Sequence, residues 1–185
     1  MSQALIRNKL RKERGQLEEQ AVYAGGLSFA QALLHHPIYQ KSQHIAFYWP
    51  CQNEVDMHKA IDNCLHAGKS CYLPIIMEEQ FLTFTPYTRN MTMHTNRYKV
   101  MEPININPIL TTQLDLVIIP AVAIDYNGNR IGMGAGFYDV TFHAFQHTQN
   151  PYRIAAVYPF QIVDSIEKQP HDIPCHEVII VSTTN

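Results

Sequence analysis

From Leu114 to Ile124 the chain reads LDLVIIPAVAI, and a run so continuously apolar is expected of a central strand covered on both faces. A sheet that buries such a strand needs helices on each side, which makes the fold a three-layer α/β arrangement. The upstream sequence supplies the matching parts. His44 to Trp49 (HIAFYW) reads as a buried strand stopped by Pro50. Met57, Ala60, Ile61, Cys64 and Leu65 then fall at i, i+3, i+4, i+7 and i+8, one face of a helix, with Asn53 as its N-cap and Gly68 as its stop. Cys71 to Ile76 follows as a second strand. Strand, helix and strand within about 35 residues is the order a right-handed parallel crossover requires.

The remaining segments extend this plan. Residues 3 to 35 read as helical, with a break expected at Gly25-Gly26 and an end at Pro37. Residues 81–87 and 97–101 read as short antiparallel strands, 136–147 as a helix, and 153–158 and 177–182 as strands. Internal repeats, low-complexity tracts and linkers are absent from the sequence. With 185 residues, 46% of them hydrophobic, the chain suits one sizeable core. The expectation is a single α/β domain over residues 1–185, its sheet mixed but mostly parallel and flanked by helices.

Charge excludes several functions. Only 16% of residues are charged and the formal net charge is -2, so neither nucleic acid nor an anionic membrane is an expected partner. The first sixteen residues, MSQALIRNKLRKERGQ, have no secretory pattern, and no apolar run approaches the ~20 residues of a membrane span. Cys51, Cys64, Cys71 and Cys175 form no C-x-x-C pair, which reads as reduced thiols in a cytoplasmic protein.

The most informative stretch is Asp125 to Asp139, DYNGNRIGMGAGFYD, lying between the apolar run and a helix. Gly132, Gly134 and Gly136 permit positive φ and let the main chain approach a ligand closely. Successive N–H groups there form an anion-binding concavity, and a following helix N-terminus adds roughly half a positive charge, so phosphate is the natural guest. Arg130 places a permanent cation beside the loop, and Asp139 could ligate Mg²⁺ carried by bound phosphates. A turn without a ligand is the plain alternative for the loop, and a helix-dipole partner is the plain alternative for Asp139. The pattern is neither Walker A nor G-x-G-x-x-G. Gly68-Lys69-Ser70 mimics the end of a P-loop, but Asn63 stands where the first glycine should be, and the segment runs from helix to strand.

Together with Asn53-Glu54-Val55-Asp56 after the first strand, Met101-Glu102-Pro103, and Asp115, Pro120, Asp125, Gly128 and His171-Asp172 in that order, this loop resembles the 5-formyltetrahydrofolate cyclo-ligase (methenyltetrahydrofolate synthetase) family. The resemblance covers most of the chain. It implies an enzyme that binds ATP with Mg²⁺ and converts 5-formyltetrahydrofolate to 5,10-methenyltetrahydrofolate, releasing ADP and phosphate. By resemblance, Arg130, Ile131, Gly132, Met133, Gly134, Ala135, Gly136, Phe137 and Tyr138 would cradle the triphosphate, and Arg7 would contact it. Asp139 and Asp172 would ligate the metal, with Arg130 and Asp139 as the catalytic pair. Glu54 would hold the pterin, and Tyr48, Trp49 and Phe137 would wall the folate rings, with Met133 to Gly136 alongside. The chain departs from the family at Gln3, where lysine is usual, and at Phe137, which is often tyrosine. The expected partner is a small-molecule reduced folate, and the expected state is monomeric.

The substrate dictates the chemistry. A formamide oxygen leaves poorly, so ring closure stalls until that oxygen is phosphorylated; N10 then attacks the activated carbon. Orientation and charge neutralisation suffice, so no protein nucleophile is expected. Read without the resemblance, the residues also suit a sugar-phosphate isomerase or coenzyme A transferase relative using the loop for a substrate phosphate, or a folate binder without nucleotide use. His143 and His147, at i and i+4, read as a solvated helix face rather than a metal site, and Cys175-His176 is equally thin support for zinc.

Overall fold

The computed structural model describes residues 2–105, 107–145, 147–148 and 150–184. Helices α1 (Gln3–Arg14), α2 (Glu19–Leu34) and α3 (Pro37–Lys41) precede strand β1 (His44–Ala46), helix α4 (His58–His66) and strand β2 (Ser70–Ile76). Strands β3 (Leu82–Pro86), β4 (Met93–Thr95), β5 (Met101–Pro103), β6 (Leu116–Pro120), β7 (Ala123–Ile124) and β8 (Arg130–Ile131) follow. Helix α5 (Phe137–Phe142) and strands β9 (Tyr152–Val157) and β10 (Glu177–Ile180) complete the order.

Six strands form the main sheet in the order β10-β9-β6-β1-β2-β3. The first five are parallel, and β3 returns antiparallel to β2. The period-two alternation of a strand divides the apolar run between two cores. Leu116 and Ile118 pack with Phe29 and Leu33 of α2 and Ile61 and Cys64 of α4. Val117 and Ile119 face the opposite way, with Phe84, Phe142 and Ile173. A third cluster joins Leu10 of α1 to Val122, Ala123, Ile131 and Ile166, seating α1 over the end of β6 and the β7–β8 hairpin. The three-layer α/β expectation holds, and the crossover through α4 is as the sequence implied.

Several boundaries differ for physical reasons. The N-terminal helical region breaks at Gly15, not at Gly25-Gly26, which lie inside α2. A Cβ on Gly25 would sit 2.8 Å from Tyr158, and one on Gly26 would sit 2.7 Å from Asp56. These glycines serve close packing rather than chain reversal. The Leu114–Ile124 run is not one strand: its ladder ends at Pro120, and Ala123–Ile124 pairs instead with β8. Strand β1 ends at Ala46, although the Phe47 N–H still donates to Tyr72 O at 3.0 Å. Asn53 does not cap α4. Its φ is +57°, and its Nδ2 donates to Arg14 O and Leu17 O, while Met57 occupies the N-cap.

Gly68 does stop α4. At φ +70° it lets its own N–H reach Leu65 O and that of Lys69 reach Cys64 O, a Schellman closure. The 97–101 strand shifts into the β4–β5 hairpin, whose turn is Asn96–Val100. The expected 136–147 helix shortens to α5 and a 3₁₀ turn at His143–Phe145; Gln146 lies outside the described residues.

Candidate active site

The sheet order places the site before any side chain is considered. Strand β1 connects through α4 to β2 on one side, whereas β6 connects through α5 to β9 on the other. The two crossover helices pack on opposite faces, so the chain leaves β1 and β6 in opposite directions and a crevice opens beyond their carboxyl ends. A cavity of about 410 Å³ occupies that crevice. Tyr48, Trp49 and Glu54 enter it after β1, Ala121 and Val122 after β6, and the glycine loop closes it from the β8 side.

That loop is built for close approach. Gly134 and Gly136 adopt φ of +107° and +71°, which side-chain-bearing residues rarely reach. Among the described residues, none accepts a hydrogen bond from the main-chain N–H groups of Gly132, Met133, Gly134, Ala135 or Gly136. Donors left free over five successive residues in a half-exposed loop can turn together toward the oxygens of an anion. Arg7 reaches across from α1, its Nε donating to Gly132 O at 2.8 Å, so the helix cation and the loop are in contact. Gln3 instead donates to Glu167 O at the surface. The α5 helix that follows has six residues, so its dipole adds less than a long helix would.

Arg130 and Asp139 meet, which the sequence did not foretell. The Arg130 Nη2 donates to Asp139 Oδ1 at 2.7 Å in a nearly dry setting, with side-chain exposures of 4% and 16%. The same Oδ1 accepts from the Ile173 N–H at 3.1 Å, leaving Oδ2 outside both bonds. Arg130 Nε is buried and has no partner among the described residues, and its guanidinium carbon lies 5.9 Å from the Tyr138 ring centroid. An unpaired buried guanidinium N–H beside an unpaired glycine loop fits an anion.

The fit to magnesium is supported by one carboxylate. When phosphates complete the shell, Mg²⁺ takes only one or two carboxylates from the protein, and Asp139, which lines the cavity, offers its Oδ2. Asp172 is not among the residues that line the cavity; its Oδ2 accepts from the Gln169 N–H at 2.8 Å. It is the chain neighbour of Ile173, which does touch Asp139. Among the described residues no three His, Cys, Asp or Glu side chains cluster as a metal cage. His143 and His147 are exposed, and the His176 Nε2 sits by Arg153 and Thr148 O.

Glu54, one of three carboxylates that line the cavity with Asp139 and Glu102, is almost fully buried. Burial pushes its pKa above the usual carboxylate range, opposed by the Arg14 guanidinium at 3.6 Å and by the Cys51 N–H at 3.1 Å. The Cys51 thiol is pushed up to about 12 by burial and by Glu54, which leaves it a poor nucleophile at neutral pH. Trp49 packs edge-on to His58 and tilts against Tyr87, and Phe137 meets Tyr98 edge-on at 5.1 Å. Both rings line the cavity as apolar walls, whereas the Tyr48 hydroxyl is spent on Val55 O.

Two features escaped the sequence reading. The β4–β5 hairpin brings Asn96, Tyr98 and Glu102 to the cavity; Glu102 Oε2 accepts from Asn96 Nδ2 and the Ile76 N–H. Arg14, buried at the end of α1, is the second. A signal existed, since Ile6, Leu10 and Arg14 share one face at i, i+4 and i+8.

A family model described as the 5-formyltetrahydrofolate cyclo-ligase family matches residues 1–181. The chain is 28% identical over 179 residues to a Haemophilus influenzae protein named 5-formyltetrahydrofolate cyclo-ligase, covering 95% of each. It is 29% identical over 177 residues to an Escherichia coli protein of the same name, covering 94% of this chain and 97% of that one. In fold it resembles Aquifex aeolicus 5,10-methenyltetrahydrofolate synthetase, with a TM-score of 0.81 at 24% identity, covering 100% of this chain and 91% of that one. A synthetase from Mycoplasma pneumoniae gives a TM-score of 0.75 at 18% identity, with both chains fully covered.

Proposed function

The chain belongs to the 5-formyltetrahydrofolate cyclo-ligase family, and from that premise we propose that it uses MgATP to turn 5-formyltetrahydrofolate into 5,10-methenyltetrahydrofolate, ADP and phosphate. One observation carries this reading. Gly132, Met133, Ala135 and Gly136, whose N–H groups have no partner among the described residues, and Arg130, whose Nε has none there either, line the same cavity as the buried Glu54 carboxylate. An anion site and a site for a polar heterocycle thus lie within one crevice.

The glycine loop, Arg130 and Arg7 would bind the triphosphate, with Ile131, Phe137 and Tyr138 as its flanks. Magnesium, when bound, would neutralise phosphate charge, held by Asp139 with Asp172 as the second candidate ligand. Glu54 would accept from a pterin ring N–H and its amine together, and Trp49 and Phe137 would pack on the folate rings. The formyl oxygen attacks the γ-phosphorus and ADP leaves. N10 then adds to the formyl carbon, loses its proton, and phosphate departs as the N5–C–N10 amidinium forms. The chain's part is to orient the two substrates, exclude water and stabilise the charge that moves onto the phosphoryl oxygens.

The same reading makes the chain one catalytic domain that acts as a monomer in the cytoplasm, where its four free cysteines stay reduced. Among the described residues, no helix is long and apolar enough to cross a membrane.

The test is direct. With 5-formyltetrahydrofolate and MgATP, the methenyl chromophore should appear with one ADP per product; turnover without ATP, or folate binding without ADP formation, would overturn the proposal. Glu54→Gln should raise the folate KM by about tenfold or more and leave the ATP KM nearly unchanged, since one charge-assisted pair is lost at the ring. Equal changes in both constants would remove Glu54 from the pterin site.

A further inference from the structure

We propose that Arg14 is a positioning residue for the folate site, clasping the Glu54 loop against the glycine loop and setting a buried positive charge beside the carboxylate that receives the substrate's ring. The inference rests on the folate reading of Glu54 and adds the group that makes that carboxylate usable.

Arg14 closes α1 on its buried stripe and is 1% exposed. Its Nε donates to Gln52 O at 2.9 Å, and its Nη1 lies 3.6 Å from Glu54 Oε1. The third nitrogen, Nη2, approaches the Met133 sulfur at 3.9 Å, so the side chain spans from the Glu54 loop to the glycine loop. Backbone contacts make this clasp reciprocal, because the Asn53 side chain donates to Arg14 O and Leu17 O. A charge so buried is a poor stabilising device: the desolvation of an ion pair often equals or exceeds its attraction, and an apolar side chain of similar volume would hold a fold as well. Moreover, among the described residues Nη1 has no hydrogen-bond partner, so Glu54 feels Arg14 as a charge rather than through a tight bidentate fork.

The remaining groups around Glu54 cannot replace that charge. Cys51 donates its N–H and thiol from the same loop, and Tyr48 after β1, Tyr138 on α5 and Tyr158 after β9 lie close enough to feel the carboxylate. Burial raises all three phenols and the thiol, so they stay neutral at physiological pH. Arg11 is exposed and turns to the Gln52 side chain. Burial and Arg14 pull Glu54 in opposite directions; burial already prevails, so removing Arg14 raises the carboxyl further and favours its protonated form. A protonated Glu54 loses one acceptor and its charge, and ring affinity falls.

The experiment measures binding of 5-formyltetrahydrofolate and of ATP from pH 5 to 9 in wild type, Arg14→Met and Arg14→Lys, with folding checked by circular dichroism. Arg14→Met should weaken folate binding at pH 7 by about tenfold for each unit that Glu54 rises, a loss that shrinks toward pH 9. Arg14→Lys should recover most of it. In an Arg14→Met/Glu54→Gln double variant the loss should be no greater than in Glu54→Gln alone. Should Arg14→Met not fold, Arg14→Gln is read in the same way. A loss that is flat with pH, or one that adds in full to that of Glu54→Gln, overturns the role of Arg14. Wild-type protein that binds no 5-formyltetrahydrofolate would instead overturn the folate reading beneath it.

Discussion

Replacing Arg130 by alanine should lower ATP-dependent turnover by about 10²–10³-fold, the usual loss when one preorganised donor is removed from a site where charge develops. The structure adds a second expectation. Because Arg130 and Asp139 form a nearly dry ion pair at 2.7 Å, the alanine variant strands the carboxylate. Breaking such a pair costs about 3–5 kcal/mol, and the Ile173 N–H that Asp139 retains points to the lower end. By the same argument Asp139→Asn, which leaves the buried guanidinium without its carboxylate, should lose stability as well as turnover. Urea unfolding and kcat separate the two effects. The double variant Arg130→Ala/Asp139→Asn should regain much of the stability and none of the turnover. Near wild-type rates in either single variant would remove that residue from the site.

The second large effect is expected at Gly128, which never touches a ligand in this scheme. Its φ is +81°, and a Cβ there would land inside the Cys175 carbonyl oxygen. That contact is structural, since the Cys175 N–H donates to Gly128 O at 2.9 Å and docks the hairpin tip. Asp125 organises the same tip, accepting from the Asn127, Asn129 and Ile166 N–H groups. Gly128→Ala should therefore cost about 3 kcal/mol or more, from left-handed strain and overpacking together. For a chain of this length that lowers Tm by roughly 6–12 °C. Turnover should fall as well, because Arg130 follows two residues later. Gly134→Ala is the contrast. Its φ of +107° is strained, but the nearest atom to a Cβ is Arg7 Cζ at 3.8 Å. There the loss should show in ATP KM more than in Tm; a Tm drop matching that of Gly128→Ala would mean the loop is structural.

Much of the candidate site's composition was legible in one dimension. The glycine loop, Arg130 and Asp139 lie within ten residues, and Glu54 sits in the loop that follows β1, so their grouping along the chain survives folding. What escaped were pairings between distant segments. Arg14 and Glu54 meet only because α1 packs across the ends of β6 and β7, and Tyr98 and Glu102 reach the cavity only because the β4–β5 hairpin sits beside β2. Gly25-Gly26 misled for a related reason. Helix propensity is a local quantity, whereas the contacts of these glycines with Tyr158 and Asp56 are tertiary.

Periodicity and punctuation determined the kinds of element, the crossover order and the loop able to receive an anion, because each of these depends on side chains a few residues apart. The tertiary structure alone decided where the sheet reverses its winding, which carboxylate pairs with which arginine, and which donors remain unpaired. Those depend on the order β10-β9-β6-β1-β2-β3, and hydrophobic burial, being non-directional, leaves that order unread in any single segment.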